Sequence, residues 1–373
     1  MKKQKNIIDY IKYTGNYSFD LVPFNELDSL IMASLSYINF SGLLKKHEKI
    51  KIKNAGIRFF NQYTASELKK NVFSVQTGIK IFKEIYKTKR YGNLELSKYI
   101  KKTEDKKQFQ AICISISDTL SYLSFEGTDE LIGGWYEDAA MSYKFPVPSQ
   151  QEAIKYINHN INPFSKRKYI LGGHSKGGNL ALVAGMYGRP LKKSKIQNIY
   201  MFDAPGIREE QVLSHEFKQI ENKIRRVVTN YSIIGLLFYN VDDISIVASM
   251  KKGVMAHNMI NWCVDEYNFK YTKLSSRSDK LRLSLESWLS NYSDEEKKEF
   301  VHDLFDIFSR AGIKSLLDLR NNKFKKAISL IKESKKLDKK SKEIVSAFLK
   351  ILFTFLKEES SSMINNKFPS LKH

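Results

Sequence analysis

Residues 168–187 read Lys-Tyr-Ile-Leu-Gly-Gly-His-Ser-Lys-Gly-Gly-Asn-Leu-Ala-Leu-Val-Ala-Gly-Met-Tyr. The apolar run at 168–172 predicts a buried strand, and the run rich in alanine and leucine at 178–187 predicts a helix. Between them, Gly173, Ser175 and Gly177 form a G-x-S-x-G pattern. The stretch therefore predicts a strand, a tight turn and a helix in immediate succession.

This turn has a specific chemical use. A nucleophilic serine stands at the end of a strand, a helix starts at once behind it, and flanking glycines avoid clashes in the strained turn. The helix N-terminus favours the negative charge that develops during acyl transfer. The bare pattern arises often by chance, and a purely structural turn is the alternative, but its place between strand and helix favours Ser175 as a nucleophile.

The chain around this stretch alternates between strand and helix patterns. Alternation of this kind indicates a mostly parallel sheet covered on both faces, the α/β class. Strands are predicted at 109–117, 120–125, 196–202 and 224–231, and a helix at 150–160.

Helical patterns dominate both ends of the chain. The first hundred residues read as helices with polar joints, for example at 24–37 and 73–85. After about residue 265 the pattern is helical again. We therefore expect an α/β domain over 1–265 and a basic helical C-terminal region over 266–373. Helices of the latter are predicted at 280–289, 293–308, 313–319 and 339–358.

Composition limits the classes of partner. Lysine and arginine number 62 against 40 acids, a formal net charge of +22, which suits anionic surfaces or simply keeps the protein soluble. Cys113 and Cys263 have no paired spacing, so we expect neither a disulfide framework nor a metal site, and we expect a reducing compartment. We also expect no cofactor and a cytoplasmic location. No apolar run is long enough to span a membrane.

Several motifs together resemble a known family. The Gly-His-Ser-Lys-Gly-Gly motif at 173–178, Phe-Glu-Gly-Thr at 125–128, and then Trp135 and Asp138 are similar to the fungal-type (class 3) lipases. They resemble more closely a bacterial family of unknown function grouped with those lipases, with an α/β-hydrolase fold. Glu126 stands where the lipases typically have arginine. The resemblance covers about residues 5–265 and implies an oxyanion hole at Thr128 and at the backbone N–H of Lys176.

A serine nucleophile needs a histidine base, and in this fold the order along the chain is serine, acid, histidine. His257 lies in a loop-like stretch after the last predicted strand, with Trp262 behind it as in the resembling families. His215 and His302 lie in helix-like stretches and are expected at the surface.

The acid is ambiguous in the sequence. The position that matches the lipase aspartate is Ser232, which supplies no carboxylate. Asp203, at the end of the strand after the serine helix, is the favoured substitute, and Asp242 or Asp243 is the alternative. A dyad assisted by Ser232 or by a backbone carbonyl is the third option.

The resulting hypothesis is a serine hydrolase that cleaves carboxylic esters, lipase-like or esterase-like, on a small-molecule or lipid substrate. The alternative is a catalytically weakened hydrolase-fold protein with a binding or regulatory role. The positive charge and the 339–358 helix suggest peripheral contact with an anionic membrane, although that helix could instead pack on the core. No motif supports specific nucleic-acid binding.

Overall fold

The computed structural model of the chain describes residues 4–45, 47–104, 107–128, 132–238, 243–313 and 323–349. Its centre is an eight-stranded sheet whose strands lie side by side in chain order. The strands are β1 Ile50–Lys51, β2 Glu95–Glu104, β3 Lys107–Ser115, β4 Leu120–Phe125, β5 Lys168–His174, β6 Ile196–Phe202, β7 Ile224–Thr229 and β8 Ile244–Val247. A separate hairpin pairs β9 Val264–Asp265 with β10 Asn268–Phe269.

The sheet is parallel from β4 to β8 and antiparallel from β1 to β4. The predicted α/β class with a mostly parallel sheet is confirmed. The prediction that the first hundred residues are helical is wrong for β2. Lys98 and Lys102 interrupt the apolar pattern by which a strand is recognised in the sequence. The strand tolerates these charges because only the two-residue β1 separates it from the edge of the sheet.

Helices surround the sheet. They are α1 Ile7–Thr14, α2 Glu26–Ser34, α3 Ile52–Gln62, α4 Ala65–Lys69, α5 Phe73–Ile85, α6 Lys89–Gly92, α7 Ile132–Ala140, α8 Pro148–Asn160, α9 Lys176–Tyr187, α10 Pro190–Lys193, α11 Glu209–Val212, α12 His215–Lys218, α13 Ser276–Ser290, α14 Asp294–Arg310 and α15 Lys323–Ser334. A further helix runs over 339–349. No helix within the described ranges has the length and apolar character needed to cross a membrane.

Each face of the sheet has its own hydrophobic core. Side chains alternate between the faces along a strand, so Tyr122 and Ile170 point to one core and Leu123 and Leu171 to the other. Parallel strands that follow one another in chain order are joined by right-handed crossovers, so their connecting helices lie on the same face of the sheet. Helices α8 and α9 pack on that face. The N-terminal helices α1, α2, α3 and α5 cover the opposite face and thereby complete the fold.

The described C-terminal helices form a third cluster around Trp288, Phe300 and Val345. Val345 is fully buried there, so the described part of the predicted terminal helix packs against α13 and α14. Tyr136 of α7 meets Phe305 of α14, with ring centroids 5.3 Å apart. Phe269, just beyond the predicted boundary at 265, packs in the core that the N-terminal helices cover. The predicted helix at 313–319 lies outside the described residues from 314 onward, as does the end of the terminal helix from 350.

A buried ion pair holds together the layer of N-terminal helices. Arg90 of α6 donates to Asp28 of α2 through Nη2 at 2.6 Å and Nε at 2.9 Å, and both side chains have no exposed surface. The hydroxyl of Tyr91 donates to the same carboxylate at 2.6 Å, and that of Tyr10 at 3.2 Å. These contacts join α1, α2 and α6 at one point, so the layer depends on them.

We predict that Arg90→Met lowers the free energy of unfolding by about 3–5 kcal/mol, because it leaves the Asp28 carboxylate buried without its cation. Arg58, which pairs with Glu48 at the surface with half of its side chain exposed, provides the control. Arg58→Met should cost at most about 1 kcal/mol. Chemical denaturation measures both, and equal losses would contradict the assignment of the Asp28 cluster as the fastening point.

Candidate active site

Ser175 occupies the junction between β5 and α9. The strand ends at His174 and the helix begins at Lys176, so Ser175 alone makes the turn, with φ +57° and ψ −137°. For a residue with a Cβ this conformation costs about 1–3 kcal/mol and persists only where surrounding structure enforces it. The predicted strand, tight turn and helix are therefore present at the predicted residues.

Two glycines allow this turn to pack against the neighbouring strand. A Cβ on Gly177 would collide with the carbonyl oxygen of Phe125 on β4, and one on Gly173 would collide with the backbone of Gly177. Gly127, just beyond β4, comes so near that a Cβ there would lie 3.1 Å from the Cβ of Ser175. This close approach helps to bury Ser175, which is only 5% exposed.

His257 and Asp203 meet beside this turn. His257 Nδ1 lies 2.6 Å from Asp203 Oδ2, and the two residues are 54 positions apart in the chain. Asp203 follows β6 directly and has no exposed surface, whereas the His257 side chain is 21% exposed. Since β6 neighbours β5 and runs parallel to it, the strand order brings the aspartate and the serine together at the carboxyl ends of these strands. The structure thus places the favoured acid against the predicted base.

Ser232 takes a supporting position. Its hydroxyl donates to Asp203 Oδ1 at 2.5 Å and accepts the N–H of Gly235 at 3.0 Å. Burial alone would raise the pKa of Asp203, but the hydrogen bonds from His257 and Ser232 outweigh it and lower that pKa. The carboxylate is therefore held in its charged form, and Ser232 contributes a hydrogen bond where the resembling lipases have the acid itself.

The alternative acids lie elsewhere. Asp243 is exposed and precedes β8, so it stands at the amino end of a parallel strand, the opposite edge of the sheet from Asp203. Asp242 lies outside the described residues. His215 is exposed on α12, and the side chain of His302 is 73% exposed on α14.

His174 connects the serine turn to the histidine loop. Its Nε2 lies 2.8 Å from the carbonyl oxygen of His257, which only accepts, so Nε2 carries the proton. Its Nδ1 is then free to accept the Tyr37 hydroxyl at 3.0 Å. Burial, followed by the neighbouring His257, lowers the pKa of His174 to about 3. His174 is therefore a neutral spacer that fixes the backbone of His257 relative to Ser175.

The predicted oxyanion residues join a buried polar cluster with α7. Thr128 Oγ1 donates to Asp138 Oδ2 at 2.6 Å. Lys176 Nζ contacts Glu137 Oε2 at 2.5 Å and Asp138 Oδ1 at 3.4 Å. Burial opposes the charge on Lys176, but Asp138 and Glu137 outweigh it and raise the lysine pKa. The Thr128 hydroxyl therefore donates its only proton to Asp138.

Within the described part of the chain, no hydrogen bond joins the Ser175 hydroxyl to the His257 ring. The two residues are tied through His174 and Asp203 instead. Sequence reasoning missed His174 and Tyr37, although the position of His174 next to the serine was a usable signal. Tyr37, 137 residues away, gave none.

The described residues contain no group of three or more metal-ligating side chains.

A profile of the Mbeg1-like family matches residues 85–306, more than half of the chain. The chain belongs to the Mbeg1-like family. Its predicted kinship with lipase-like α/β-hydrolases is thereby confirmed. No curated protein matches the chain.

Two solved lipase structures are similar to this Mbeg1-like chain. The M37 lipase is 16% identical, with 56% of this chain and 68% of that chain covered and a TM-score of 0.33. The lipase of Rhizomucor miehei, in its propeptide complex, is also 16% identical, with 41% and 57% covered and a TM-score of 0.32. Neither likeness bears on the substrate.

The neutral His174 predicts a pH dependence of stability. In the folded state it stays unprotonated down to about pH 3, whereas in the unfolded chain it takes up a proton below its ordinary value of 6.5. The unfolded state then binds more protons between these limits, so stability falls as pH falls from 6.5.

Between pH 6.5 and 4.5 we expect wild type to lose about 2 kcal/mol more than His174→Gln, which retains an N–H donor but does not titrate. Denaturant titrations at several pH values measure this difference. His302→Gln, at an exposed position, should behave as wild type. Parallel pH profiles for wild type and His174→Gln would refute the neutral buried imidazole.

Proposed function

We propose that this protein is a serine hydrolase that cleaves carboxylic esters, with Ser175 as nucleophile, His257 as base and Asp203 as the orienting acid. The observation that carries the proposal is the 2.6 Å contact between His257 and the fully buried Asp203, beside a serine on a strained turn between strand and helix. This combination fits acyl transfer better than a structural turn, which needs no histidine fixed by a buried carboxylate.

The roles of the ring nitrogens follow from the contact. A charged carboxylate only accepts, so His257 Nδ1 donates to Asp203, and Nε2 is left as the acceptor for the Ser175 proton. Ser175 Oγ then attacks the ester carbonyl carbon, and His257 returns the proton to the departing alcohol. Water, deprotonated by the same imidazole, attacks the acyl-enzyme, which releases the acid and restores Ser175.

Stabilisation of the oxyanion is assigned to backbone donors. The N–H groups in the first turn of α9 have no acceptor within the helix, and the helix dipole favours negative charge there. The N–H of Lys176 is the first of these. Thr128 lies three residues beyond the end of β4, whose last pair with β5 joins Phe125 to Gly173. One such donor is worth about 3–4 kcal/mol of transition-state stabilisation.

The side chains of Lys176, Glu137 and Asp138 form a buried cluster that holds the segments carrying these donors. Lys176 is 1% exposed and its amine points to α7 rather than to solvent. Because Thr128 is bonded to the same helix through Asp138, the cluster fixes both donor segments relative to each other. We assign it a positioning role, with no contact to substrate.

The family supports a lipase-like substrate, either a lipid ester or a small-molecule ester. The competing function is a hydrolase-fold protein with weakened catalysis and a binding role, and the lack of a carboxylate at Ser232 favours it. The contact between His257 and Asp203, which follows the neighbouring strand, provides a carboxylate and favours the hydrolase instead.

We predict that a fluorophosphonate probe labels the wild-type protein and that Ser175→Ala abolishes labelling, because the probe requires a serine activated by a base. Ser232→Ala should slow labelling about tenfold or more, since a hydrogen bond to a charged carboxylate contributes roughly 1.5–3 kcal/mol. Gel fluorescence and intact mass spectrometry measure the adduct.

Ser290→Ala, at an exposed position on α13, is the control and should label as wild type does. Folding of each variant is checked by circular dichroism. Absence of labelling in folded wild type, or unchanged labelling of Ser175→Ala, would refute the proposed nucleophile.

A further inference from the structure

We propose that this protein docks on anionic phospholipid bilayers through the surface at the amino ends of β5 and β6. This surface, formed by residues 159–168 and 189–195, is called the amino-end surface below. It is separate from the candidate active site, and the proposal stands independently of the proposed hydrolase function.

Two large apolar side chains project from the amino-end surface. Phe164 is 88% exposed and Leu191 is 64% exposed. They line one open cleft of about 770 Å³, together with Pro163 and Pro190. Asn162 Oδ1 accepts the N–H of Phe164 at 3.0 Å, so a fixed turn presents the phenyl ring. Exposed apolar groups held together in this way indicate an interaction site.

Positive charge surrounds these two side chains. Residues 159–168 contain three lysines and arginines, residues 189–195 contain four, and neither segment contains an acid. Several of the amines bond only to backbone carbonyls. Lys98, which lines the cleft from β2, donates to Asn160 at 2.7 Å, and Lys195 donates to Ser165 at 2.8 Å. Hydrogen bonds to neutral acceptors leave the positive charge of these side chains uncompensated.

The crowding of cations extends to the next strand. Burial and the neighbouring Lys168 lower the pKa of Lys223, which precedes β7. Lys193 lies in the same group, where burial and the neighbouring Lys223 lower its pKa against the opposing effect of Glu216 on α12. When the positive charges of a surface repel one another, an anionic partner that binds there relieves this repulsion.

A bilayer is the partner whose chemistry matches both features. Its phosphate groups complement the lysines and arginines, and the acyl boundary accepts the side chains of Phe164 and Leu191. Nucleic acid would complement the charge and could stack on Phe164, but it offers no apolar phase for Leu191.

The position of the surface determines what docking would do. The amino-end surface lies at the opposite end of β5 from Ser175, roughly 20 Å away along seven residues of strand. Docking would therefore recruit the protein to the membrane while the candidate site faces away from the contact. Hydrolysis of a soluble ester should proceed at the same rate with and without bound vesicles.

The experiment is co-sedimentation of the full chain with vesicles of phosphatidylcholine alone, or with about one third phosphatidylglycerol, at roughly 0.1 M salt, where the Debye length is about 10 Å. We expect binding to the anionic vesicles only. Phe164→Ser/Leu191→Ser should weaken it about tenfold or more. Lys166→Gln/Arg189→Gln should weaken it about fivefold for each charge removed.

Matched controls remove the same chemistry elsewhere. Leu21→Ser removes another exposed leucine, 71% exposed, and Lys69→Gln/Lys70→Gln removes two exposed charges at the end of α4. Both control variants should bind nearly as well as wild type. Circular dichroism verifies folding of every variant.

Insertion is tested directly with Phe164→Trp and vesicles of brominated lipid, which quench tryptophan fluorescence within the bilayer. Quenching of Phe164→Trp beyond that of Leu21→Trp supports the proposal. The proposal is overturned if wild type does not bind anionic vesicles, if the controls lose as much binding as the paired variants, or if Phe164→Trp is quenched no more than Leu21→Trp. Binding of a single-stranded RNA oligomer that the Phe164/Leu191 variant loses, without vesicle binding, would assign the surface to nucleic acid instead.

Discussion

The candidate active site depends on one buried carboxylate. Asp203 has no exposed surface and accepts hydrogen bonds from His257 and from Ser232, at 2.6 and 2.5 Å. Burial of a charge is costly unless such bonds compensate for it, so the three residues must be in place together. They come from the end of β6, the segment after β7 and the turn beyond β8. The backbone of Asp203 itself has a positive φ of +43°, and its N–H donates to Val227 at 2.7 Å. The order of the parallel strands therefore brings these three residues together in the site.

The two helical layers act on this geometry from opposite sides. The N-terminal layer, fastened by Asp28 and Arg90, contributes Tyr37, whose hydroxyl holds His174 and through it the backbone of His257. On the other side, α7 holds Lys176 and Thr128 through its two acids, and its outer face packs on the C-terminal helices. The flanking helices therefore position the groups that the central sheet brings together.

Local patterns were enough to predict the serine turn and most of the strands around it. The strand and helix on either side of Ser175 are encoded by the residues that form them, and the glycines are needed by the turn itself. The acid could not be settled that way. Ser232 lies 29 residues from Asp203, and their hydrogen bond exists only because β6 and β7 are neighbours in the sheet. Strand β2 was missed for a related reason, because its lysines are acceptable only near an edge that the sequence does not display. The roles of His174 and Tyr37 likewise depend on contacts between distant segments.

Two aspartate variants separate the buried carboxylate from an exposed one. We predict that Asp203→Asn lowers kcat/KM for a soluble ester about 10³- to 10⁴-fold, because an amide neither orients the imidazole correctly nor stabilises its charged form. Asp243→Asn, which changes an exposed aspartate at the opposite edge of the sheet, should leave kcat/KM within about twofold of wild type. Equal rates for Asp203→Asn and wild type, with both proteins folded, would contradict the role assigned to the buried carboxylate.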